Sequence, residues 1–200
     1  QEGLGEEQIL RDAAKLNKDL YSCMELNQNS HDDFGFPSIM LWTDSRGTDI
    51  VSDYSGLNWF NIPLRFKDLT GNSYGTYYYW HTLYNQINEA NNVIKNNIEK
   101  SEQSAYQFYL AQAYAIRAFS YFYLAQMYQH TYVGHEDMPC VPLVTEANMD
   151  EQNPRASVKE TYDFMLSDLD KAANLLEQTF VERPHKGFIS KERSEEHTSE

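Results

Sequence analysis

Between Ala105 and Tyr128 the chain carries a single charged residue, Arg117. A segment of that length with apolar residues on nearly every side has no face to give to water, so it folds only as a helix enclosed by other helices. Its residues sort into two adjacent faces. Ala111, Ala115, Ala118 and Ala125 make a narrow small-residue stripe, while Leu110, Tyr114, Tyr121, Leu124 and Tyr128 make a bulky one. Small against large is how helical hairpins nest, and the helix is expected from about Gln103 to Gln129. Arg117 needs a carboxylate or free helix carbonyls within the stack, because an unpaired buried guanidinium is strongly destabilising. Its role is read as structural.

The flanking sequence supplies the enclosing helices. Ile9, Ala13, Leu16, Leu20 and Met24 recur at three- or four-residue spacing and predict a helix from Glu6 to about Asn27. Phe34 to Trp42 reads as a short helix entered through Pro37. Trp80, Leu83, Tyr84, Ile87, Ala90, Asn91, Ile94 and Ile98 trace a second long helical stripe, in which Trp80 is a core residue. Ser157-Val-Lys-Glu160 is a capping box, and the helix it opens is expected to bury Val158, Tyr162, Met165, Leu166, Leu169, Ala173 and Leu176. Two segments interrupt this pattern. His130 to Pro154 is broken by Gly134, Pro139 and Pro142 and is expected to run extended. Asp44 to Tyr78 holds Gly47, Gly56, Pro63, Gly71 and Gly75 without a sustained period, so it reads as a long ordered loop with a helical turn near Asn61 to Lys67. The expected fold class is all-α: stacked helical hairpins of tetratricopeptide-like type with a long irregular loop insertion. The repeat is degenerate, since no clean period of about 34 residues recurs.

Composition removes several functions. The 200 residues carry a formal charge of −14, and no Lys/Arg cluster offsets it, so nucleic acid is excluded as a partner on electrostatic grounds. No stretch reaches the ~20 consecutive apolar residues of a membrane span. Cys23 and Cys140 lie too far apart for a redox or metal motif and read as two buried free thiols. His130, His135, Glu136 and Asp137 lack zinc-ligand spacing, and Asp44, Asp49 and Asp53 lack the EF-hand register. No phosphate loop or nucleophile elbow is present, so neither a metal nor another cofactor is expected.

Three segments together resemble the RagB/SusD family. Trp80-His-Thr-Leu-Tyr-Asn-Gln-Ile-Asn-Glu-Ala-Asn-Asn-Val-Ile94 is similar to the family's aromatic-Ile-Ala-Asn-x-Val-Ile helix. Ala113-Tyr-Ala-Ile-Arg-Ala-Phe-Ser-Tyr-Phe-Tyr-Leu124 is similar to its Ala-x-x-x-Arg-Ala-x-x-Tyr-x-x-Leu helix. Met138-Pro-Cys-Val-Pro-Leu143, Pro154-Arg-Ala-Ser-Val-Lys-Glu-Thr-Tyr162 and Asp168-Leu-Asp-Lys-Ala172 follow in the family's order. The resemblance runs from about Trp80 to Leu176. Gln112 stands where members often carry Glu, and Gln129 where many carry Gly. Members are longer than this chain, so residues 1–192 read as the N-terminal part of a SusD-like helical domain. Arg193 to Glu200 resembles a translated sequencing-adapter read-through, and this end is expected to be non-native.

The resemblance implies a secreted lipoprotein, held at the cell outer membrane by a lipid anchor outside this sequence. Such a protein binds glycan oligosaccharide without catalysis and delivers it to a SusC-like TonB-dependent transporter. It also implies that N-terminal ligand residues come from the loops before the Trp80 helix. Sugar rings stack on Tyr or Trp while their hydroxyls take Asn, Asp, Arg or Gln partners. The candidate ligand-binding residues are therefore Trp59, Tyr74, Tyr54, Asn61, Trp42 and Arg65, led by Trp59 and Tyr74, whose neighbours Asn58, Asn61, Asn72 and Ser73 are polar. Alternatives are a tetratricopeptide-type protein scaffold, capture of peptides in place of glycans, and an all-helical glycosidase, which needs two carboxylates facing each other across a cleft.

Overall fold

The computed structural model describes residues 2–21, 35–47, 60, 63, 65–67, 69–184 and 186–190, with side chains from residue 5 and, in the first helix, as far as residue 18. Among them are five α-helices, α1 (Glu2–Tyr21), α2 (Phe36–Asp44), α3 (Tyr74–Asn97), α4 (Ser104–Tyr128) and α5 (Val158–Gln178), and two short strands, β1 (Pro139–Pro142) and β2 (Arg155–Ser157). The protein is all-α in class, and its long helices pair as antiparallel hairpins. It divides into two compact units, one of Gln1–Asn17 with Asn85–Glu200 and one of Lys18–Tyr84, the division falling inside α1 and α3.

In the larger unit α4 is the central element. Sixteen of its residues are buried, from Ala105 to Ala125, while Phe119, Phe122 and Tyr123 are half-buried and Gln126 exposed, so the apolar pattern is covered on all but one face of its second half. Its antiparallel register against α5 can be read from four pairs. Ser104 bonds Thr179 at 3.0 Å, Lys171 lies over the Tyr114 ring, Arg117 meets Asp168, and Tyr121 packs edge-on against Phe164. A 3-10 turn at Ile98–Lys100 reverses the chain between α3 and α4. α1 runs parallel to α4: Ala13 clusters with Phe108, and one turn on Asn17 donates to Gln112. Ala13, Leu16 and Asn17 are its buried stripe. Leu20, expected to continue that stripe, is described only in its backbone, and Met24 and Cys23 lie outside the described residues.

The connection from α4 to α5 is extended only in part. β1 pairs antiparallel with β2, with an irregularity between Pro139 and Pro142, and turns at Thr145–Asn148 and Asn148–Glu151 fill the span between them. Prolines are tolerated because a two-stranded ladder leaves each strand one open edge. Both halves of the capping box at Ser157 and Glu160 are formed. Cys140 is a buried free thiol, and burial pushes its ionisation up.

In the smaller unit α2 begins at Phe36 with Pro37 in its first turn, as the sequence predicts. α3 begins earlier than expected. Its first turn takes in Tyr74 to Tyr78, which the glycine content assigns to the loop. The reason is Ser73, whose Oγ accepts from the Thr76 amide at 3.2 Å and so caps the helix start.

Candidate functional site

Two places in the structure concentrate chemistry. The first is an aromatic cluster in the smaller unit, where α2 and the first two turns of α3 pack together. Its inner layer is buried. Trp42, 2% exposed, meets Tyr79 edge-on at 5.7 Å and Phe60 at 6.2 Å between ring centroids. The Tyr78 hydroxyl accepts from the Gly35 amide at 2.8 Å, donates to the Gly35 carbonyl and bonds Ser38 Oγ at 3.0 Å, satisfying groups at the open N-terminus of α2. Gly35 has φ of 95°, a conformation natural to glycine there. The Arg46 guanidinium lies over the Tyr79 ring and donates to its hydroxyl.

The outer layer faces water. Tyr74 stacks on Tyr78 with 18° between the planes and is 42% exposed, and Tyr77 is 57% exposed, 5.2 Å from the half-buried His81 ring. Phe66 and Leu69 are exposed too, and Phe66 holds φ of 54°, a left-handed conformation that costs a bulky residue energy. Of the candidate residues, Tyr74 is on this surface and Arg65 is exposed. Trp42 is placed in the packed layer beneath, where its ring has no face to offer a ligand. Tyr54, Trp59 and Asn61 lie outside the described residues. Tyr77 and His81 were missed because their segment reads as loop or core. Their i, i+4 spacing, carried on from Tyr74, is the signal that finds them once the helix is known to begin at residue 74. Trp80, read as core, is half-buried and pairs with Tyr84.

The second place is a charge network buried in the larger unit. Arg117, 1% exposed, donates through Nε and Nη2 to the two oxygens of Asp168 at 2.6 and 2.8 Å, and through Nη1 to Asn91 Oδ1 at 2.7 Å and Glu146 Oε2 at 2.6 Å. Its guanidinium also lies over the Phe164 and Tyr114 rings. Burial works against this cation, but the hydrogen bonds and charges of Asp168 and Glu146 outweigh it and hold it protonated beyond its ordinary range. Burial likewise raises the Glu146 carboxyl, and the Arg117 contacts more than reverse it, leaving it below the usual value. The Asn91 amide donates to the Val144 carbonyl, and the Tyr121 hydroxyl both accepts from the Val144 amide and donates to its carbonyl. One cation thus ties α3, α4, α5 and the connecting segment together. Asp168 and Glu146 are both committed to Arg117, an arrangement for stability with no acid and base facing across a cleft.

His130 and His135 stack with ring centroids 4.9 Å apart, and His135 Nδ1 bonds the Thr131 carbonyl. Among the described residues no group of three or more His, Cys, Asp or Glu is placed to hold a metal, and no helix is long and apolar enough to cross a membrane.

The model of the SusD-like family described as "Starch-binding associating with outer membrane" matches residues 9–191. The chain belongs to this SusD-like family. The fold is shared with solved structures at low identity. A SusD superfamily protein from Bacteroides vulgatus ATCC 8482 superposes with a TM-score of 0.74 at 18% identity, over 94% of this chain and 40% of that one. A putative sugar binding protein from the same organism gives 0.66 at 24% identity, over 91% and 39%. A SusD-like carbohydrate binding protein from Bacteroides fragilis NCTC 9343 gives 0.64 at 21%, over 94% and 35%. The SusD-like chain thus spans about two-fifths of the length of the solved structures it resembles. No curated protein matches it. In this SusD-like chain the three resembling segments fall on α3, on α4, and on β1, β2 and α5, and the Arg117 of the second is bound by the Asp168 of the third.

Proposed function

We propose that this SusD-like protein captures oligosaccharides at the outer face of the outer membrane, as a lipid-anchored protein, and hands them without chemical change to a SusC-like TonB-dependent transporter. The family description, starch binding in association with an outer membrane, supports both the ligand class and the location. Two proteins of the same fold carry names that state sugar or carbohydrate binding. The observation that carries the reading for this chain is the exposed Tyr74 ring stacked on the buried Tyr78, with the exposed Tyr77 ring one turn along α3. Rings held in this way stack on the C–H face of a sugar with little loss of side-chain freedom. The proposed contacts are Tyr74, with Trp59, Tyr54, Asn61 and Arg65 from the preceding segment. Trp42, packed against Tyr79 and Phe60, is not among them.

The test is isothermal titration of the full-length protein against maltohexaose, xylohexaose, mannohexaose and oligogalacturonides, beside a Trp59→Ala variant. Saturable binding without release of shorter sugars, weakened in the variant, is the expected result. Binding of peptides with no affinity for any sugar would replace glycan capture by peptide capture, and hydrolysis of any glycan would end the non-catalytic reading.

A further inference from the structure

Tyr77 and His81 fall outside the residues that the sequence nominates, yet Tyr77 is the most exposed aromatic ring of α3 and His81 lies against it. Tyr74, Tyr77 and His81 occupy positions i, i+3 and i+7, which share one face of a helix. Seven residues of helix rise about 10 Å, roughly the length of two linked sugar rings. Tyr77 is the most open ring of the three, at 57% exposure, and lies 5.2 Å from the half-buried His81 at a 40° tilt. Tyr74 stacks nearly parallel on Tyr78, which is fixed by its three bonds to Gly35 and Ser38. Tyr74 is therefore held in place before any ligand arrives.

Its surroundings match a sugar better than an apolar peptide. Thr70 and Asn72 are exposed and Ser73 half-buried just ahead of Tyr74, and the ring tips carry hydroxyl and imidazole groups. No acidic residue stands in the first turn of α3. In a chain of net charge −14, residues 54–88 hold Arg65 and Lys67 against Asp68, so the stretch itself carries no negative excess.

We infer that the Tyr74-Tyr77-His81 face of α3 is a stacking platform for two consecutive pyranose rings of the captured oligosaccharide, with Tyr77 as its central ring. This rests on the capture reading above, and it adds residues and a footprint to it. Each ring stacks its C–H face on an aromatic side chain, while hydroxyls at the ring edges meet the Tyr and His polar atoms.

The experiment uses the full-length protein, the same hexasaccharide and oligogalacturonide probes, and the variants Tyr77→Ala, Tyr77→Trp and His81→Ala. Melting temperatures confirm folding, which substitution of so exposed a ring leaves intact. Tyr77→Ala is expected to weaken the tightest-binding probe about tenfold or more, Tyr77→Trp to restore it, and a monosaccharide to bind far more weakly than a disaccharide. Wild-type binding with Tyr77→Ala and His81→Ala unchanged would overturn the platform and leave glycan capture standing. Wild-type failure to bind every probe would remove capture and the platform together.

Discussion

Replacing Arg117 by Met tests the account of the buried network. Asp168 is fully buried, and in the variant it loses both of its bidentate bonds, keeping only Lys171 at 3.8 Å. Asn91 and Glu146 each lose a charge-assisted partner. Breaking a buried pair from one side costs about 3–5 kcal/mol, because a charge is left without compensation. With a urea dependence of about 2 kcal/mol per molar, the unfolding midpoint falls by about 2 M, a large part of the stability of most domains. Far-UV circular dichroism at pH 7 reads it directly. The double variant Arg117→Met with Asp168→Leu is expected to regain at least half of the loss, since apolar groups of similar volume replace buried ion pairs at little cost. A midpoint shift under about 0.5 M in the single variant, or no recovery in the double, would refute the argument that α3, α4, α5 and the connection are tied through this cation.

Three further outcomes follow from local geometry. The folded Glu146 carboxyl is held below its ordinary value of 4.5, so it contributes stability above that pH and loses it as pH falls through the depressed value. Glu146→Gln should therefore be less stable than wild type at pH 7, the gap closing below about pH 4.5 in urea titrations across pH. Ser157→Ala removes the oxygen that accepts from the Glu160 amide and should cost about 1 kcal/mol by the same assay. Tyr78→Phe keeps the ring but leaves the buried Gly35 amide without its hydroxyl, so about 1–3 kcal/mol of local stability should be lost, seen as faster amide exchange across α2.

What the sequence discloses about this fold follows from where packing imposes a period. α4 is legible because every side of it must be covered. The need of Arg117 for a carboxylate is legible for the same reason, but its partners are 51 and 29 residues away, and only the antiparallel register of α4 and α5 selects Asp168. The capping box at Ser157 is legible because both of its halves are local. The start of α3 is not, because Gly75 and a run of tyrosines outweigh the single capping hydroxyl of Ser73 in any reading by composition.

The same reasoning explains why the candidate site is harder to read than the core. A core position is fixed by repetition, whereas an exposed ring becomes a site only through what lies beneath it. Trp42 and Tyr74 look alike in the sequence, two aromatics beside an irregular segment. Their difference arises from Tyr78 and Tyr79: one closes over Trp42 edge-on, and the other lies under Tyr74 as a floor. That floor is itself anchored to the start of α2 through Gly35, whose positive φ turns its amide and carbonyl toward the Tyr78 hydroxyl. Loss of the Tyr78 hydroxyl should therefore reach the outer rings as well as α2, linking the stability of this unit to the geometry of its proposed sugar-binding face.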